Sequence, residues 1–246
     1  MPWPSSRSVR RTAGGLAVIG VAAALAWAAS PFLAENAPLA DARALPGVAL
    51  TETADAVVLT PDDPTGSGLV FVAGARVEAA AYAHKLSGLA EQGITVVIAR
   101  PILNFAIAEF RPLEHFTALG AGVDSWFVGG HSLGGVRACQ YAADAAGSPG
   151  PAVEGLILAG SYCAVDLAED DLAVLSLGGG RDGLSTPEKI ADSAHLLPED
   201  TRFAQLDGAS HAQFGDYGVQ PGDGTPTASD AEVRDWISDE VVQFIG

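Results

Sequence analysis

Between Leu69 and Phe244, short apolar runs alternate with amphipathic stretches, and this alternation restricts the fold more than any other feature. Leu69-Val70-Phe71-Val72-Ala73 has no polar interruption and ends at Gly74, as expected of a strand buried on both faces. Further runs stand at 56–59, 94–99, 126–129, 155–159, 172–177 and 202–206. Helical patterns occupy 77–92 (closed by Gly93), 113–119, 133–146, 187–196 and 229–244. Such alternation predicts an α/β fold, a mostly parallel sheet with helices on both faces. No internal repeat is present.

The chain has 246 residues, 48% of them hydrophobic and 17% charged. That composition supports a sizeable core and excludes a disordered chain. Lys and Arg total 13 against 30 Asp and Glu, a formal charge of −17, which repels phosphate backbones and argues against a nucleic-acid partner. Two cysteines are too few for a disulfide-dense scaffold or a cysteine-based metal site. They are Cys139 and Cys163, which would pair only in an oxidising compartment and only if their Cα atoms come within about 6 Å.

The N-terminus is basic at Arg7, Arg10 and Arg11, and no charged residue lies between Thr12 and Ala34. The apolar stretch 13–33 reaches the roughly 20 residues that a spanning helix needs. It also carries Ala26-Trp27-Ala28, a small-x-small cleavage pattern. A membrane anchor and a cleaved signal are both open at this stage, and each exports the downstream domain. Positive-inside bias would keep the arginines in the cytoplasm. Residues 34–50 show Pro, Ala and no periodicity and read as a linker, with a catalytic domain over 51–246.

The chemistry concentrates at Gly130-His131-Ser132-Leu133-Gly134, between the run at 126–129 and a helical stretch. This is G-x-S-x-G in its required strand–turn–helix context, which lifts a serine above the sheet at a helix N-terminus. In that motif the partners come in the order acid, then histidine. Asp182 stands in Gly178-Gly179-Gly180-Arg181-Asp182-Gly183 after a strand, where α/β sheets place their sites. Asp166, Asp170 and Asp171 precede that strand and read as a solvated turn. His211 comes after the last strand, whereas His84, His115 and His195 fall on helical patterns and His131 adjoins the nucleophile pointing elsewhere. The candidate triad is therefore Ser132, Asp182 and His211.

These motifs resemble the α/β-hydrolase family over residues 56–246. Val72-Ala73-Gly74-Ala75-Arg76-Val77 and His211-Ala212-Gln213-Phe214-Gly215-Asp216-Tyr217-Gly218 are similar to small exported hydrolases of dienelactone-hydrolase-like proportions. The resemblance implies hydrolysis of a small-molecule ester through an acyl-enzyme, with no metal or organic cofactor. It implies an oxyanion hole from the Leu133 and Ala75 N–H groups, with Gly74 permitting close approach. Asn104 and Tyr162 are candidate pocket-lining residues. Asp216 and Asp223-Gly224 read as turn residues rather than a cation site. Only about a dozen residues separate the strand ending near Ala159 from the next, which predicts no sizeable cap. An acyltransferase using the same triad and a non-catalytic surface-anchored module are the alternatives, since this fold hosts many functions.

Overall fold

The computed structural model describes residues 30–146, 150 and 152–246. Among the described residues, eight strands form one sheet: β1 (Val48–Glu52), β2 (Ala56–Pro61), β3 (Ser67–Val72), β4 (Thr95–Ala99), β5 (Ser125–His131), β6 (Val153–Ala159), β7 (Ala173–Gly179) and β8 (Arg202–Leu206). Their order is β1-β2-β4-β3-β5-β6-β7-β8. β1, β2 and β4 pair antiparallel, and every pairing from β4 through β8 is parallel. The C-terminal ends of β3 to β8 therefore share one rim, and the nucleophile motif ends β5 near its middle.

Both sheet faces are buried, which explains the uninterrupted apolar runs. Leu69, Phe71, Val96, Ile98 and Phe127 pack on one side, and Val70, Val72, Val97, Ala99 and Val128 on the other. Six α-helices of the described residues flank the sheet: α1 (Asn36–Arg43), α2 (Ser87–Glu91), α3 (Leu113–Thr117), α4 (Leu133–Ala145), α5 (Pro187–Ser193) and α6 (Asp230–Ile245). α6 buries Val233, Ile237 and Val241 on the first face. Its start is fixed by a capping box between Ser229 and Glu232. α4 buries Ala138, Cys139, Tyr141 and Ala142 on the second. Cys139 is disulfide-bonded to Cys163, with Cα atoms 5.7 Å apart. Closing a loop of this length contributes about 3 kcal/mol relative to the reduced chain.

Three elements differ from the sequence expectations. The 34–50 stretch is not a linker. It holds α1, and β1 pairs with β2 from Val48↔Pro61 to Glu52↔Val57. β1 lies at the sheet edge and alternates poorly in burial, so no period of two is visible in it. The helical pattern at 77–92 is divided into a 3-10 turn, Ala79–Tyr82, and the short α2. Tertiary ties hold that shape: buried Tyr82 bonds Gly74 and His131, and buried Lys85 bonds Asp216 at 3.0 Å.

The third difference concerns the chain's entry. Ser30 to Glu35 lie against the turn after β3: Phe32 N–H donates to the Arg76 carbonyl, and Glu78 N–H to the Phe32 carbonyl. Residues 30–33 thus belong to the domain. The rest of the proposed anchor or signal lies outside the described residues. Among the described residues, no helix is long and apolar enough to cross a membrane.

Candidate active site

β5 runs into a sharp turn at Ser132, whose φ of 54° and ψ of −126° lie in a region non-glycine residues avoid. Neighbours impose it. Ser132 N–H donates to the Ala159 carbonyl at 3.1 Å, Gly135 N–H to the Ser132 carbonyl at 3.0 Å, and Ser161 Oγ to that same carbonyl at 2.6 Å. The glycines of the motif answer to space. A Cβ on Gly130 would stand 2.4 Å from the Gly134 carbonyl carbon, and one on Gly134 only 2.0 Å from the Val72 carbonyl oxygen.

Asp182 and His211 meet. His211 Nδ1 donates to Asp182 Oδ2 at 2.8 Å, and both side chains are essentially inaccessible. The other carboxylate oxygen accepts the N–H groups of Leu184 (2.8 Å) and Ser185 (2.7 Å). These bonds fix the carboxylate in place against His211. Among the described residues, His211 Nε2 is buried without a hydrogen-bond partner, and the rings of His211 and His131, the residue before Ser132, lie 4.4 Å apart.

The turn after β3 forms the opposite wall. Gly74 N–H donates to Tyr82 Oη (3.0 Å), Arg76 N–H to the Asn104 carbonyl (2.6 Å) and Val77 N–H to the Gly74 carbonyl (3.2 Å). Among the described residues, the Ala75 N–H of this turn and the Leu133 N–H at the first turn of α4 have no protein acceptor. A Cβ on Gly74 would lie 2.9 Å from His131 Nδ1, so only glycine lets the turn pass this close. Asn104 acts through its backbone, at φ 55°. Tyr162 is half-buried on the loop after β6.

Four functional-looking residues escape the sequence reading. His131 is buried behind His211 and accepts from Tyr82 Oη at 2.9 Å. Tyr82 takes the Gly74 N–H on its oxygen, which leaves its own proton for His131. Burial raises the Tyr82 pKa and keeps it protonated. Burial first, and then the neighbouring His211, hold the His131 pKa well below 6.5, so His131 is neutral at neutral pH. Ser161 braces the elbow through the Ser132 carbonyl. Nothing in the sequence distinguishes these residues, because their partners are remote in the chain.

The fourth is Asp223. Its carboxylate accepts from His211 N–H (3.0 Å), Ala212 N–H (2.8 Å), Gly183 N–H (3.1 Å) and Gly224 N–H (2.7 Å), tying the histidine loop to the aspartate loop. Burial works to raise its pKa, but these donors outweigh it and hold the carboxyl below its ordinary value. A depressed folded-state pKa adds stability that is complete above about pH 3.9 and is lost as pH falls through the folded value. Asp223→Asn is therefore expected to cost about 2 kcal/mol at neutral pH. In urea titrations the difference from wild type should hold steady down to about pH 4 and narrow below it. A difference that grew in acid would contradict this role. Asp216 is likewise engaged, by Lys85 and His84.

The three histidines on helical patterns lie elsewhere. His195 is exposed, with Nδ1 against the Asp192 carbonyl; His84 faces Asp216; and His115 faces Asp55 at 3.2 Å.

Residues 68–235 match the model of the alpha/beta hydrolase family. The chain belongs to the alpha/beta hydrolase family. Solved structures from distant sources share its fold. A CIB-like hydrolase from Thermoplasma acidophilum has a TM-score of 0.57 at 13% identity, over 80% of this chain and 100% of that one. A fungal esterase from Rhizomucor miehei gives 0.56 at 14%, over 85% and 88%. An alpha/beta hydrolase from the sediment metagenome of the Mar Chica lagoon, Morocco, gives 0.54 at 17%, over 77% and 98%. No curated protein sequence matches the chain. The thirteen residues between β6 and β7, 160–172, contain no helix or strand, so this alpha/beta hydrolase has no large cap. Family and fold together support a hydrolase.

Proposed function

We propose that the protein is an exported serine hydrolase of carboxylic esters, small and similar to the dienelactone-hydrolase-like members of its family. The observation that carries this reading is the buried His211, with Nδ1 held by Asp182 and Nε2 without a partner among the described residues, at the same sheet rim as a serine in a strained elbow. His211 Nε2 takes the Ser132 proton as Oγ attacks the ester carbonyl. The oxyanion is held by the Leu133 and Ala75 N–H groups, donors already fixed by the folded backbone. His211 then protonates the leaving alcohol, and water repeats the sequence on the acyl-enzyme. Asp182 keeps the imidazole in the tautomer whose Nε2 can accept. The Cys139–Cys163 bridge supports an oxidising, exported setting. The apolar N-terminal stretch supports a membrane anchor with the catalytic domain outside the cytoplasm.

A fluorophosphonate probe on the full-length chain is expected to label Ser132, identified by peptide mapping. With no cap to limit access, p-nitrophenyl esters of short acids should be turned over from the first seconds, without a lag for lid opening. Labelling that persisted in Ser132→Ala would sink the assignment.

A further inference from the structure

Seven large apolar side chains are conspicuously exposed among the described residues, and six of them are at one place. Leu103, Ile107 and Phe110 are on the loop after β4, Leu133 comes directly after the elbow, Val219 is on the loop after β8, and Leu33 lies beside the turn after β3. All are at the C-terminal rim that holds Ser132. Their exposure is large: 69% at Leu103, 82% at Ile107, 80% at Phe110 and 91% at Val219. The seventh, Phe203, is in β8 and borders a separate groove formed with Pro187, Ile190 and Ala191.

Water-facing apolar groups gathered on one face mark an interaction surface. The loops are joined there. Arg76 N–H bonds the Asn104 carbonyl, Phe32 N–H bonds the Arg76 carbonyl, and the Arg76 guanidinium bonds the Ser30 carbonyl at 2.7 Å. Ser30 is also where the chain arrives from the uncharged stretch that begins at Thr12. An apolar segment of membrane-spanning character thus reaches the domain at the rim that carries the exposed apolar ring.

We propose that this rim is a lipid-docking surface, seated on a phospholipid bilayer so that Ser132 opens onto esters partitioned in it. The proposal rests on the esterase reading for the substrate, but not for the surface. The formal charge of −17 disfavours attraction to anionic lipid, so apolar contact must carry the docking. A zwitterionic bilayer should therefore suffice, with little dependence on salt.

The test uses the full-length chain in phosphatidylcholine vesicles, with and without brominated acyl chains. The added emission of Phe110→Trp, measured against the parent, should fall at least twofold with brominated lipid, whereas that of Phe203→Trp should not change. Equal quenching at both positions, or none at Phe110→Trp, overturns the proposal. The second result would mean that the N-terminal segment or a second copy of the chain covers the rim. In the second arm, Leu103→Ser/Ile107→Ser/Phe110→Ser should lower hydrolysis of a long-chain ester in the vesicles at least tenfold. Hydrolysis of p-nitrophenyl acetate should be unchanged. Equal losses on both substrates also overturn it. If the parent leaves p-nitrophenyl acetate intact, the esterase reading fails, and quenching alone decides the surface.

Discussion

Replacing Ser132 or His211 by alanine is expected to lower kcat by roughly 10⁶, and replacing both is expected to cost little more. The non-additivity is a consequence of the geometry. Ser132 Oγ is a weak nucleophile unless His211 Nε2 accepts its proton, and among the described residues that nitrogen has no hydrogen-bond partner to compete for this task. Removing either group removes one shared step. Asp182→Ala should be milder, by roughly 10⁴ to 10⁵. The imidazole loses its 2.8 Å anchor but remains packed against His131. His195→Ala, on an exposed ring far from the elbow, should behave as wild type. Initial rates on a short p-nitrophenyl ester, with circular dichroism to check folding, decide the matter. Activity abolished in His195→Ala but intact in His211→Ala would reverse the assignment.

Gly134→Ala is expected to inactivate the protein by a different route. The new methyl would sit 2.0 Å from the Val72 carbonyl oxygen and 2.7 Å from that of Ala73. Both are backbone atoms at the end of β3, where the oxyanion turn begins, so no side chain can rotate away. Either α4 is pushed off the sheet or the turn moves, and the Ala75 and Leu133 donors separate. Overpacking of this kind costs about 3 kcal/mol or more. A drop of at least a hundredfold in activity should accompany a lower urea midpoint. Gly178→Ala is the control, because its Cβ would meet nothing closer than 3.5 Å. Equal stability in the two variants would show that the elbow is less constrained than its contacts require.

Much of this architecture is legible in the chain. The β3 and β5 runs are recognisable because strands buried on both faces must be apolar without interruption. The meeting of Asp182 with His211 is foreseeable because loops that follow parallel strands gather at one rim. The features that are not legible have a common cause. β1 is an edge strand with mixed burial. The helix expected over 77–92 is divided because Tyr82 and Lys85 answer to Gly74, His131 and Asp216 rather than to their own helix.

Local pattern and composition by themselves determined the α/β class and the strand–turn–helix around Ser132, since periodicity and glycine spacing are local properties. Only the tertiary structure decided that Asp223 ties the His211 loop to the Asp182 loop, that His131 backs His211, that Cys139 meets Cys163, and that residues 30–33 join the rim. Each of those depends on contacts between segments far apart in the chain, and no local pattern encodes which distant partner will be met.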